Sequence, residues 1–435
     1  MKRMFFPAVI VIVTIFSNII RVSGEEASTP IYLGTYTRGA DGAKGIYLTH
    51  LDTQTGSLSE PQLVAEVPNP SFLATHPKLP RLYSISEGGD GTSGNVHSFT
   101  IDPATFALTK LNEQTVPVRG ACHLGVFPLP MMPDEPEKYA VMVAFYGEGA
   151  VASLPLTEDG QLAPYATIHK HVGSGPHPRQ KQAHAHAVYS VTCPEPHLER
   201  LEAHAMFICT VIVVPDLGAD KLFLYDRMND GRLAPAGELK LPPGSGPRHA
   251  YLYPQTVFTP QTVFILNELN STISVVTTSL VYFSSVAPPS LVYFSSVAPR
   301  AWEIVQTIST LPEGKVVENN TTAAIFMHPN KRFLYASNRG DDSIALFHFD
   351  SKKRQLAFVE TVPCGKHPRS FDISPDGKWL IVAAMHDDRV ATFRINPDTG
   401  RLTPTEHAIT VKQPTCVLPV TQAEDKEIAQ MLSRP

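Results

Sequence analysis

Charge is scarce in this chain. Asp, Glu, Lys and Arg make up 18% of its 435 residues and leave a formal net charge of −5. No stripe of Lys and Arg runs through it, which argues against a nucleic-acid partner. Cysteine is also thin, with five in the whole chain. An odd number at that density does not make a disulfide framework. Cys209 sits in an apolar run and reads as a buried thiol, while a single bridge between Cys193 and Cys209 stays open. Helical periodicity is nearly absent: only His197–Ala205 has helical character, and it reads as a loop insertion. No Ser-His-Asp arrangement, phosphate-binding loop or zinc signature is present.

Long apolar runs are missing too, except at the start. Lys2 and Arg3 precede an apolar stretch from Met4 to Ile20, and Val22-Ser-Gly24 supplies small residues before Glu25. This is the three-part pattern of a signal peptide, residues 1–24. The run is short for a membrane span and is broken by Pro7, Thr14, Ser17 and Asn18. Cleavage and export are therefore expected, with no stable span afterwards; an uncleaved anchor is the alternative.

What the chain has in abundance is a repeated unit. Apolar runs occur at Ile31–Tyr36, Arg81–Ser86, Tyr139–Phe145, Phe207–Val214, Val263–Leu266, Phe333–Ser337 and Trp379–Ala384. Their starts fall roughly 45 to 70 residues apart, near the period of propeller blades. Several units close on a tight turn: Asp52-Thr-Gln-Thr-Gly56-Ser-Leu58, Glu158-Asp-Gly160-Gln-Leu162, Asn229-Asp-Gly231-Arg-Leu233 and Asp398-Thr-Gly400-Arg-Leu402. Gly supplies the positive φ of such a turn, and Leu re-enters the sheet. Seven β-units without helices predict an all-β fold, a seven-bladed β-propeller. It should occupy residues 31–420 as one domain, followed by a C-terminal tail, 421–435. The strand around Pro414–Leu418 should pair near Ile31, closing the ring and removing exposed edges. The fifth unit is oversized, because SLVYFSSVAP occurs twice between Ser279 and Pro299.

Blade loops converge on a central channel, so polar residues at the ends of apolar runs are the site candidates. In Gln182-Ala-His184-Ala-His186 the two imidazoles stand two residues apart, as on one strand face. They suit a general base or a metal pair. No further ligand has metal-binding spacing, so neither a metal nor a cofactor is expected, and two ordinary polar histidines are the alternative. Gly244-Ser-Gly-Pro-Arg248-His249 fixes the backbone and delivers a forked guanidinium at a strand start, suited to carboxylate or phosphate. Asn267-Glu268 ends an apolar run, where partial desolvation would raise the carboxyl pKa; a salt bridge to Arg248 is the alternative. Ser337-Asn338-Arg339-Gly-Asp341-Asp342 offers a second channel arginine. Gly365-Lys-His-Pro-Arg369 repeats the G-x-x-P-R theme, but Arg369 reads as structural. The carboxylates of Glu87-Gly-Gly-Asp90 and Pro215-Asp216-Leu-Gly-Ala-Asp220 read as turn caps. Such a kit suits an anionic, oxygen-rich small molecule: His186, Arg248, Glu268 and Arg339 are the catalytic candidates. His184, His249, Asn267 and Asn338 are the substrate-binding candidates.

Several motifs in order carry a resemblance that spans almost everything from Ile31 to Leu418. They are IYLGTYT at Ile31, NPSFLATHP at Asn69, GSGPHPRQ before His184, VPDLGADKLFLY at Val214, PPGSGPRH at Pro242, LNELNSTISV at Leu266, ISTLPEG at Ile308, YASNRGDDSIALF at Tyr335 and HPRSFDISPDGKWL at His367. The chain resembles the seven-bladed propeller lactonases, which include propeller-type 6-phosphogluconolactonases and fungal carboxy-muconate lactonising enzymes. The resemblance implies a channel site of His186, Arg248, Glu268 and Arg339. It also marks departures. Ala324 and Phe326 stand where the family typically has a Glu and a His. The third unit reads Tyr146-Gly-Glu-Gly149 where a Gly-rich stretch is usual. Three readings follow: a monomeric lactonase opening a small sugar-acid lactone, a cyclase or isomerase acting on a muconate-like diacid, and an exported propeller that only binds. The four matching motif residues favour the first two; Ala324 and Phe326 favour the third.

Overall fold

The computed structural model describes residues 28–420 except 40–41, 89–92, 131–134, 192–210, 254–260 and 279–301. The signal segment, both insertions, the C-terminal tail and the pair Cys193/Cys209 lie outside the described residues. Within them, strands form seven four-stranded antiparallel sheets. Each sheet but one is built from consecutive strands. The exception is blade 1, where Pro414–Pro419 is the innermost strand and pairs with Ser28–Thr35, placing Ile31 opposite Pro419 and Leu33 opposite Val417. The last strand thus closes the ring onto the first, as the sequence predicts, and hydrogen-bonds an edge that an open array would expose.

The apolar runs are the second strands of the blades. Tyr139–Phe145, Phe333–Arg339 and Trp379–Ala384 are buried at every position. A strand with sheets packed on both faces must be apolar on both, so these segments read as continuous runs rather than alternating ones. Their neighbours face each other across blade boundaries. Tyr83, Ile85 and Val96 of blade 2 pack on Val141, Val143 and Phe145 of blade 3. Phe264 and Leu266 of blade 5 pack on Leu334, Ala336 and Phe347 of blade 6. Fully burying one such side chain contributes roughly 1.5–3 kcal/mol, so the cores between blades hold the ring together.

The closing turns also lock neighbouring blades. Gly56 has φ +79°, and a Cβ there would lie 2.4 Å from the Trp379 ring. Trp379 Nε1 donates to Thr53 O at 3.0 Å. In the same way Tyr335 Oη donates to Gly400 O and Tyr83 Oη to Gly160 O, at 2.7 and 2.8 Å. The turn glycine is therefore fixed twice, by its φ and by the aromatic ring against it.

On the opposite end, aspartates hold the loops that enter the channel. Asp220 accepts from Gly244 N and Gly246 N at 2.7 and 2.8 Å. Asp342 accepts from His367 N and Asp388 from Gln413 N, both at 2.9 Å. All three sit at positive φ between 50° and 53°, a conformation Asp tolerates better than most residues. Each staple precedes the inner strand of the next blade and fixes where that strand begins.

Candidate functional site

Bulges aim the key side chains. The inner strand Pro247–Tyr253 shifts register between Pro247 and His249, so Arg248 is the extra residue. Inner strand Pro368–Ile373 does the same between Pro368 and Ser370, at Arg369. Inner strand Ala121–Pro128 shifts between Ala121 and His123, at Cys122. A bulge leaves one residue out of the ladder and turns its side chain; Arg248 reaches Glu268 and His186, Arg369 reaches Glu87, and Cys122 packs in the core between blades 3 and 4. The repeated G-x-x-P-R theme marks that position in two blades.

Blades 5 and 6 and the segment leading into blade 4 meet at Glu268, which is 1% exposed. Its Oε2 lies 3.0 Å from Arg248 Nη1, 3.1 Å from Arg339 Nη2 and 3.8 Å from His186 Nε2. Its Oε1 lies 2.6 Å from Arg179 Nη1. Arg248 also donates through Nε to Ala323 O at 2.7 Å and through Nη1 to His186 Nε2. Arg339 donates to Thr322 O at 2.7 Å, and its buried Nε has no hydrogen-bond partner. His186, Arg248, Glu268 and Arg339 thus form one cluster, joined by Arg179.

One carboxylate facing three guanidiniums fixes the protonation states. Burial alone would raise the Glu268 pKa, but Arg339, then Arg248 and Arg179, pull it well below the usual carboxylate range. The raised pKa expected for Glu268 is therefore reversed: the neighbouring charges outweigh desolvation. Burial lowers Arg248 and brings Arg339 down to about 10, because each has only a share of one carboxylate. Both stay charged at neutral pH. Burial, with Arg248 adding to it, holds His186 well below its ordinary value, so its imidazole is neutral.

The other binding candidates separate into two groups. His184 and His186 do not lie on a regular strand; only Ala185 bridges, to Asp216. They flank Tyr146, whose ring stacks on His184 at 4.3 Å and meets His186 edge-on at 5.3 Å. Asp216 holds this segment by accepting from His184 N at 2.7 Å, and is itself bonded to His171 Nδ1 at 2.7 Å. His249 lies 5.8 Å from the His186 ring and 5.4 Å from His123, whose ring is tilted against Phe72 at 4.0 Å. Burial lowers His249 strongly and His123 to about 3. Asn267 and Asn338 turn away from this cluster. Asn267 Nδ2 donates to Thr272 and Ser274 hydroxyls at 2.9 Å. Asn338 Nδ2 donates to Thr310 O at 3.1 Å, and its Oδ1 accepts from Thr310 Oγ1 at 2.7 Å. They pin the strand ends from which Glu268 and Arg339 project.

The sequence reading passed over two arginines. Arg369 reaches Glu87 at 3.5 Å and lies 5.0 Å over the Tyr36 ring, whose hydroxyl donates to Glu87 at 2.9 Å. These side chains come from blades 7, 2 and 1, so the contact joins three blades. The match between Gly365-Lys-His-Pro-Arg369 and the Arg248 motif was the available signal. Arg179 stands in GSGPHPRQ, with no periodic signal to single it out. Ala324 and Phe326 lie elsewhere: both pack in the core between blades 6 and 7, with Phe326 5.3 Å from Phe371. Tyr146 lies at the site, and its neighbour Glu148 pairs with Arg119 and Lys170 at the rim. Among the described residues no group of three or more His, Cys, Asp or Glu side chains is arranged to hold a metal ion.

The fold is a seven-bladed propeller, and its site gathers three arginines around one buried carboxylate. Residues 30–419 match the model of the lactonase family, described as a seven-bladed β-propeller. The chain belongs to that family. It is 33% identical over 387 residues to a 6-phosphogluconolactonase of Bacillus subtilis (strain 168), covering 89% of this chain and 97% of that one. A 6-phosphogluconolactonase of Formosa agariphila is 27% identical over 383 residues, covering 86% and 94%. Among solved structures, the periplasmic gluconolactonase of Pseudomonas aeruginosa superposes with a TM-score of 0.74 at 27% identity, covering 91% of this chain and 99% of its own.

Proposed function

We propose that this protein hydrolyses a sugar-acid lactone at the mouth of its central channel. The observation that carries this reading is the meeting of Arg248, Arg339 and His186 at one oxygen of Glu268. Two fixed guanidiniums suit a carbonyl oxygen that gains charge as water adds to it. His186, neutral at working pH, accepts the proton of that water. The tetrahedral intermediate collapses, the ring C–O bond breaks, and the ring oxygen takes the proton back from the imidazolium. The product is an open hydroxy acid. Glu268, whose two oxygens already pair with three guanidiniums, serves as their counter-ion and spacer. His184 and His249 contribute to binding, whereas Asn267 and Asn338 hold the strand ends in place.

The named relatives support two ring substrates, D-glucono-δ-lactone and its 6-phosphate. Proton release above the spontaneous rate with either substrate tests the reading, and Arg248→Ala tests the site. That change should lower kcat/KM roughly a hundredfold, by analogy with removal of one oxyanion donor. Equal activity per folded molecule in the variant would remove Arg248 from the mechanism.

We further propose that residues 1–24 direct export. The support is the Lys2-Arg3 start, the apolar stretch to Ile20 and the small residues before Glu25. Secreted material should begin near Glu25 by N-terminal sequencing; an intact N-terminus in a membrane fraction would point to an anchor.

A further inference from the structure

The three guanidiniums around Glu268 are not held alike. Arg248 and Arg339 each donate to a backbone carbonyl and have side chains only 4% and 7% exposed. Arg179 is 41% exposed, and its two contacts are to side chains: Glu268 Oε1 at 2.6 Å and Tyr146 Oη at 3.1 Å. Its backbone, by contrast, is braced. Gln180 is fully buried, accepts from His177 N at 3.0 Å and donates to Leu217 O at 2.8 Å. Gly175 N donates to Gln180 O at 2.9 Å. A long charged side chain thus stands on a fixed turn at the open side of the cluster.

Charge favours an exchange. Glu268 already has two buried arginines on Oε2 and Arg179 on Oε1, so the three guanidiniums carry two positive charges more than the carboxylate neutralises. An anionic group entering the channel finds Arg179 as the accessible cation, with forked donors suited to a phosphate or carboxylate.

We infer that Arg179 is the specificity-determining residue that reads the anionic substituent of the lactone, exchanging Glu268 Oε1 for that substituent when substrate binds. This rests on the lactonase reading for its substrate. Selectivity for a charged over a neutral lactone then lies in one exposed side chain, separate from the buried pair that polarises the carbonyl.

The test is Arg179→Met, with Arg179→Lys beside it, assayed on D-glucono-δ-lactone and its 6-phosphate in parallel. The ratio of kcat/KM for the phosphorylated over the neutral ring should fall at least tenfold in Arg179→Met, mostly through KM. Arg179→Lys should recover part of it. An equal loss on both substrates, or a loss on neither, overturns the inference. If wild type opens neither ring, the lactonase reading fails by itself. The inference is then decided by calorimetric Kd values for gluconate 6-phosphate: at least tenfold weaker binding to Arg179→Met supports it, and equal binding overturns it.

Discussion

Replacing Glu268 by Gln keeps the side-chain shape and removes the charge on which the cluster is built. In the native protein Glu268 faces three guanidiniums, two of them almost wholly buried. The amide leaves Arg248 and Arg339 without a counter-ion and offers them one acceptor where they had a carboxylate. Removing one partner of a buried ion pair costs about 3–5 kcal/mol. With an unfolding entropy of about 2.1 cal/mol/K per residue across the matched propeller, residues 30–419, that cost lowers Tm by roughly 5 °C. Phosphate should act in the opposite direction, because an anion can sit where the charge was lost. At ten times its Kd, inorganic phosphate recovers about 1.4 kcal/mol. Calorimetric melting of both proteins, with and without phosphate, reads both effects. A variant as stable as wild type in phosphate-free buffer would refute the view that Glu268 holds these charges together.

Three further outcomes follow from the same geometry. His123, His186 and His249 are held neutral in the fold by burial, with pKa values below the unfolded value of about 6.5. As pH falls through 6.5 the unfolded chain binds protons that the folded one refuses, so stability drops, by up to about 4 kcal/mol per pH unit near pH 5; a urea midpoint that is flat from pH 7 to 5 would contradict this. Gly56→Ala, with φ +79° and a Cβ 2.4 Å from Trp379, should cost about 2 kcal/mol or more, and Gly314→Ala, with nothing within 4 Å, clearly less; equal urea midpoints would show that the ring contact is immaterial. Cys122, Cys364 and Cys416 are free and buried, with the Cys122 thiol pushed up to about 12 by burial; peptide mapping after native alkylation should find all three unmodified, and rapid labelling of Cys122 would mean that the core between blades 3 and 4 opens.

The ring was legible because each blade repeats one physical demand. A strand packed on both faces has to be apolar throughout, and Tyr139–Phe145 or Trp379–Ala384 announces that directly. The Gly-Leu turns after Asp52 and Asp398 were equally readable, since a positive φ leaves few residue choices. The site was only half legible. Arg248 and Arg339 stand at the ends of apolar runs, where channel loops begin. Asn267 and Asn338 stand there too, yet point into their blades, because neighbouring positions at a strand end alternate in direction. Which side faces the axis depends on bulges, and a bulge leaves no mark in composition. Arg369 illustrates the difficulty: its motif matched that of Arg248, but only the register shift at Pro368 reveals that the same bulge recurs. The Glu268 pKa failed for a different reason. Burial could be inferred from the run before it, whereas the number of cations around it depends on blades 5 and 6 and the segment before blade 4 together.

Ala324 and Phe326 show what replaces a polar pair between two blades. Where the resemblance leads one to expect a Glu and a His, this chain has a methyl and a phenyl group, both in the core between blades 6 and 7. Phe326 meets Phe371 edge-on, and the Ala324 amide donates to Ser337 Oγ at 3.0 Å, so no polar group is stranded there. A polar pair at these positions would need hydrogen-bond partners inside an apolar layer; an aromatic pair needs only room. The exchange therefore alters how two blades adhere while the arginine cluster, held from above by Asp220 and Asp342 staples and by the bulges, keeps its geometry. Ala324 directly follows Thr322 and Ala323, whose carbonyls accept from Arg339 and Arg248, so these two positions are joined to the arginine cluster through the backbone of one inner strand.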